Sequence, residues 1–189
     1  SAPGVAMHLL AAVTALLCVA TVFSTSMIYA SLKPIPQWFR RDVPLGYLAL
    51  SLATGALTIN ALGALTSSTT HLVPTVASAA VLAAFFVKAR YWRGLGNATP
   101  VMTAASATGL DVGVRVRSLD LPHTEPNYLQ KEMGFRVARK HARKLRRVVY
   151  VAGLGVPLLA VAISFGVDGH VNAGLAIVAA LSGHLGVVV

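Results

Sequence analysis

Residues 43–87 read VPLGYLALSLATGALTINALGALTSSTTHLVPTVASAAVLAAFFV, forty-five residues without one Lys, Arg, Asp or Glu, bounded by Asp42 and Lys88. A bilayer core of ~30 Å takes ~20 helical residues, so this run holds two crossings. The uncharged stretch 66–71, TSSTTH, is the turn between them. The same pattern extends in both directions along the chain. All 16 Lys and Arg residues fall within 33–41 and 88–147, and residues 1–32, 42–87 and 148–189 carry none. A cation at a helix centre costs about 2.5–3.5 kcal/mol on insertion scales, so such blanks are what lipid burial demands.

Five apolar runs result, at about 5–31, 43–66, 72–92, 148–166 and 171–189. They predict an all-α, polytopic transmembrane helix bundle of five spans. Three helices occupy 1–93 with a basic loop at 32–42, a basic segment follows at 94–147, and two helices occupy 148–189. Small residues in the spans (Gly55, Ala56, Gly63, Ala79, Ala80, Gly153, Gly174, Ala179, Ala180) allow helices to approach closely. The connections alternate between basic and non-basic, so the positive-inside rule puts the 33–41 loop and the 93–147 segment in the cytoplasm. Trp38, Tyr91, Trp92 and Tyr150 fall at the cytoplasmic edges of their spans, as interfacial aromatic anchors do.

Composition agrees: 56% of residues are hydrophobic, 12% charged, and the mean hydropathy is +0.69. The net charge of +10 would suggest nucleic acid in a soluble protein. Here the positive-inside bias accounts for it, and no nucleic-acid reading motif is present. The single Cys18 cannot hold an iron–sulfur cluster or a structural zinc, which take about four ligands. The absent initiator Met and a final apolar run ending in three valines suggest a piece of a longer protein.

Between Gly94 and Gln130 the chain is rich in Gly, Thr and Pro, and the alternation Val112, Val114, Val116 predicts a short strand. In 131–147, eight of seventeen residues are Lys or Arg, with Met133, Val137, His141, Leu145 and Val148 at helical spacing. A helix feeding into the fourth span is predicted. Its basic face has two readings: attraction to anionic lipid, or a docking surface for an acidic subunit made by Arg136, Arg139, Lys140, Arg143 and Lys144.

No hydrolase or nucleotide motif is present. Asn60 is the one amide deep in a span, and its ordinary role is a bond to a neighbouring helix. His184 lies fourteen residues beyond His170, about 21 Å deep at ~1.5 Å per residue, so it is an intramembrane ionisable group, although helix packing explains such a histidine as well. The stretch YASLKPIPQW from Tyr29 ends the first span with Pro34 and Pro36, which cannot continue a helix. This turn holds Lys33, Gln37 and Trp38 at headgroup depth, where a quinone ring from the lipid would stack and accept a hydrogen bond. A plain exit turn with a snorkelling Lys and a Trp anchor fits the same residues.

SMIYASLKPIPQW from Ser26, VPLGYLALSLATG from Val43 and NYLQKEMGFRVARKHARKLR from Asn127 together resemble the membrane anchor subunit of the DMSO reductase family of molybdoenzymes. Within that family the similarity is closest to the anchor of membrane-bound, cytoplasm-facing sulfite dehydrogenase complexes. The resemblance implies a bacterial cytoplasmic (inner) membrane protein of about eight helices, of which the five spans here correspond to the fourth to the eighth. It implies electron exchange between quinone or quinol and a docked iron–sulfur subunit, with molybdopterin in a further catalytic subunit. No metal is expected in the anchor itself. Combined with the position of the turn, it points to Tyr29, Lys33 and Trp38 as one wall of a quinone pocket and to His184 as a proton partner. A b-haem quinol anchor and a non-redox transporter or structural membrane protein are the competing classes.

Overall fold

The computed structural model describes residues 4–33, 35–66, 68, 70–95, 104–110, 116, 136–167 and 169–188. All regular structure among them is helical: α1 (Val5–Ala30), α2 (Asp42–Leu65), α3 (Leu72–Leu95), the short α4 (Ala104–Thr108), α5 (Arg136–Val148), a π-helical segment (Val149–Gly155), α6 (Val156–Ser164) and α7 (Gly169–Val188). Five stretches are long and apolar enough to span a membrane: Val5–Ala30, Asp42–Leu65, Leu72–Leu95, Lys140–Ser164 and Gly169–Val188. The protein is a multi-pass membrane helix bundle. The fourth span begins earlier than the apolar run at 148–166 because α5 runs without a break into the π-helical segment. Val112 and Val114 of the expected strand lie outside the described residues.

Local sequence explains the helix ends. Pro44 and Pro74 sit in the first turns of α2 and α3, where a missing N–H costs nothing. Asp42 opens α2, where a carboxylate complements the positive end of the helix dipole. Hydroxyls inside the spans are satisfied by their own helix: Thr14, Thr21 and Thr58 each donate to the carbonyl four residues back at 2.8 Å. A threonine in lipid therefore leaves no polar group bare.

The fourth span carries Pro157, fully buried in the second position of α6. Its ring would clash with the carbonyl of Gly153 in a regular α-helix. The turn that contains Gly153 is instead widened to π geometry, one of the few ways a helix absorbs such a conflict. The same turn presents Gly153 to Gly186 of α7. A Cβ on Gly153 would stand 2.8 Å from the Gly186 Cα, so neither position admits a side chain.

α2, α3, the fourth span and α7 form the core, and α1 packs mainly on α2 with Ser26 as its one buried residue. The buried cluster is built from Ala53, Leu57, Ala77, Ala80, Val81, Ala84, Leu154, Ala160, Val161 and Ala179. Such small side chains let helices gain dispersion contacts in lipid, where no hydrophobic force drives them together. Not every expected packing residue takes part: Gly55 and Gly174 face open space. Asn60 is also a correction, since its amide nitrogen is buried without a hydrogen-bond partner. Its helix lies against an alanine-lined contact, Ala61 and Ala64 with Ala176, which offers no side-chain acceptor.

On α5 the partly buried stripe is His141, Leu145 and then Val149, spaced four by four, while Val148 is 40% exposed. The expected stripe thus ends one residue later.

Candidate functional site

The polar chemistry of the described residues gathers where α1 ends, α2 begins and α3 ends. After Ala30 the chain turns back through a ladder of backbone bonds, Leu32 N to Tyr29 O at 3.0 Å, Ile35 N to Leu32 O at 3.1 Å and Trp38 N to Ile35 O at 2.9 Å. This brings Trp38 edge-on to Tyr29, ring centroids 5.1 Å apart. Tyr47, one turn into α2, stacks on Tyr29 at 5.8 Å. Tyr29 is thus held between two rings, at the separations aromatic pairs favour.

The turn is fastened to α3 by long-range polar contacts. The Tyr91 hydroxyl donates to Gln37 O at 3.1 Å, and Arg40 Nη1 donates to Gly94 O at 2.6 Å. A Cβ at position 94 would meet that guanidinium, which would have to shift to make room. Asp42 lies between two arginines: Arg40 Nη2 reaches its Oδ2 at 2.9 Å and Arg90 Nε its Oδ1 at 3.0 Å. The Asp42 side chain is 12% exposed and that of Arg90 76%, so the pair links a buried carboxylate to solvent.

These elements enclose a cavity of about 290 Å³. Tyr29, Trp38, Tyr47 and Tyr91 supply its rings, Asp42 and Lys88 its charges, and Val43, Gly46, Leu50 and Val87 its apolar surface. Its volume sits at the lower end of the ~300–1,000 Å³ typical of small-molecule clefts. Ring faces, one acceptor and one cation together suit a flat, conjugated ligand with polar edges. A second groove, about 350 Å³ between α2 and the start of α3, is lined by Ser51, Leu52, Ile59, Leu72, Val76 and their neighbours and has no titratable group. It lacks the means for proton chemistry.

Lys88 approaches the rings of Tyr91 at 5.7 Å and Trp92 at 5.3 Å. Arg146 of α5 covers Trp92 at 5.1 Å, and Tyr150 packs edge-on to it at 4.8 Å. Cation–π contacts therefore tie the basic helix to the same end of α3 as the cavity. On that helix Lys140, Arg143 and Lys144 are exposed, and Arg136 and Arg139 belong to its first turn.

Of the residues singled out from sequence, Tyr29 and Trp38 meet in the cavity wall. Lys33 is exposed and does not line the cavity. His184 is exposed on α7, its Nδ1 2.8 Å from Ala180 O, also away from the lining. Sequence reasoning missed Asp42, Tyr47, Lys88 and Tyr91. The signals were present: a lone acid opening an apolar run, and a lysine with aromatics three and four residues on, which share its helix face.

The family model for the DMSO reductase anchor subunit (DmsC) matches residues 2–182. No curated protein and no solved structure matches the chain.

Proposed function

The chain belongs to the DMSO reductase anchor subunit family, and from that premise we propose that it binds quinone or quinol in the Tyr29–Trp38–Tyr47 cavity and passes electrons to a docked iron–sulfur subunit. The observation that carries this reading is the cavity itself: four aromatic residues around one carboxylate and one ammonium, at the charged end of an otherwise apolar bundle. A quinone head offers two ring faces for stacking and two oxygens for hydrogen bonds, which this lining matches. The pocket proposed here keeps Tyr29 and Trp38 from the sequence-derived set and leaves out Lys33 and His184, which stand off its walls.

Membership implies partner subunits of a DMSO reductase type complex. In this reading an iron–sulfur subunit docks on the basic end, with Arg136, Arg139, Lys140, Arg143 and Lys144 as cationic contacts, and a molybdopterin subunit completes the complex. The Trp92 contacts of Lys88 and Arg146 support it, because they hold that helix beside the cavity, where a short electron path needs the partner. The positive-inside rule supports a cytoplasmic position for this end in the bacterial inner membrane. The similarity of the quoted motifs favours the subgroup of sulfite-oxidising anchors.

The test is purification from native membranes in mild detergent. Stoichiometric molybdenum and iron with two larger subunits are expected, and neutralising Arg139, Lys140, Arg143 and Lys144 together should release them at moderate salt. Trp38→Ala should weaken quinone binding in the intact complex. Isolation of the chain alone, without metal, would contradict the assembly. Unchanged quinone binding in the Trp38 variant would contradict the pocket.

A further inference from the structure

We infer that Asp42 is the acid–base group of the pocket: its carboxylate takes a hydroxyl proton from bound quinol as the electrons leave, and returns it when the reaction runs toward quinol. This rests on the quinone reading of the cavity and adds to it the residue that handles the proton.

Elimination among the lining groups leads there. Lys88 carries an ammonium, which has donors and no acceptor. The tyrosines offer hydroxyl donors, and the Tyr91 hydroxyl already donates to Gln37 O. Asp42 is the one carboxylate among the described residues. It lines the cavity and has both oxygens fixed, one by Arg40 and one by Arg90. Each of those oxygens still has a free acceptor position, because an ionised carboxylate offers about four lone-pair sites and the arginines occupy two.

Its basicity is sufficient for the step. A quinol that is losing electrons becomes a far stronger acid. Proton transfer to Asp42 then follows electron transfer without a strong base. The balance is one quinol giving two electrons, one at a time, to the partner's one-electron iron–sulfur clusters, together with two protons. One proton moves from a hydroxyl oxygen to an Asp42 oxygen, and the other passes directly to water at headgroup depth. Lys88 offers a donor for the resulting carbonyl oxygen. The protonated Asp42 then gives its proton to water, which completes the balance.

The experiment uses the intact complex with 2,3-dimethyl-1,4-naphthoquinol as the reductant, reading single-turnover reduction of the partner's clusters and, separately, equilibrium binding of the probe. Rates are normalised to dye-driven reduction of the same clusters, which corrects for assembly. Asp42→Asn is expected to keep probe binding within about threefold while slowing quinol-driven reduction about 100-fold, the lower range of positioned acid–base catalysis. Asp42→Glu should recover much of the rate. Arg90→Gln breaks one side of the clasp but keeps the carboxylate, and should stay within a few-fold.

An undiminished rate in Asp42→Asn, with Trp38→Ala still losing binding, would overturn the role of Asp42 and leave the pocket standing. Equal losses in Asp42→Asn and Arg90→Gln would reduce Asp42 to a structural clasp and also overturn it. Normal binding and normal rate in Trp38→Ala would remove the pocket, and with it this inference.

Discussion

At the Gly153–Gly186 crossing two helices meet backbone to backbone, whereas at the charged end of α2 and α3 they are kept apart by rings. One apolar bundle thus uses its smallest residues in one region and its largest in another. In lipid, helices cohere through close contact and not through exclusion of water, so the crossing is filled with main chain and alanine. Beside it, across Leu50 and Lys88, Tyr29, Trp38, Tyr47 and Tyr91 act as wedges that leave about 290 Å³ unfilled, with Asp42 and Lys88 on its walls. The first region specifies the fold, and the second specifies what the fold can bind. Mutations should therefore separate them.

Gly186→Leu should have the largest effect. It drives a side chain into the Gly153 backbone, and overpacking at a site with so little room should cost about 3 kcal/mol of stability. Thermal unfolding in detergent should show a lowered midpoint. Next comes Trp38→Ala, expected to weaken quinone binding about tenfold, ~1.4 kcal/mol, through loss of one stacking face. Its thermal midpoint should barely move, which is the reverse of the Gly186 result.

A smaller effect of opposite sign is expected at Asn60. Its amide nitrogen is buried without a partner, so Asn60→Leu should raise stability by up to about 1 kcal/mol, read from the same unfolding curves. A loss there would mean that the amide bonds something beyond this chain. The least change should come from Arg90→Gln, where a largely exposed ion-pair partner is lost: probe affinity is expected within twofold by direct titration.

The fold was largely legible in the sequence because lipid burial writes itself as missing charge. Four of the five spans begin and end within about three residues of the apolar runs. The fourth starts earlier, as the basic helix is continuous with it and no charge pattern marks a break. The π-helical segment had only Pro157 as a signal, and a proline alone does not say whether a helix kinks, ends or widens.

The site was half legible. Tyr29 and Trp38 stand nine residues apart around a proline turn, so local chemistry brings them together. Asp42 and Lys88 are separated by two whole spans and meet only because α2 and α3 are antiparallel neighbours. Pairing the first turn of α2 with the last two turns of α3 across the short 66–71 connection would have found them. His184 shows the limit of depth alone: rise per residue fixes how far a side chain lies along the helix, but not which way it faces.

The central claim is that quinone occupies the cavity at the charged end of α1, α2 and α3. Its most direct test is photolabelling of the native complex with an azido-substituted quinone, followed by mass-spectrometric mapping of the adducts. Adducts on Tyr29, Trp38, Tyr47, Lys88 or Tyr91, suppressed by excess unlabelled quinone, are the predicted result. Suppressible adducts confined to other parts of the complex, with none on these residues, would contradict it.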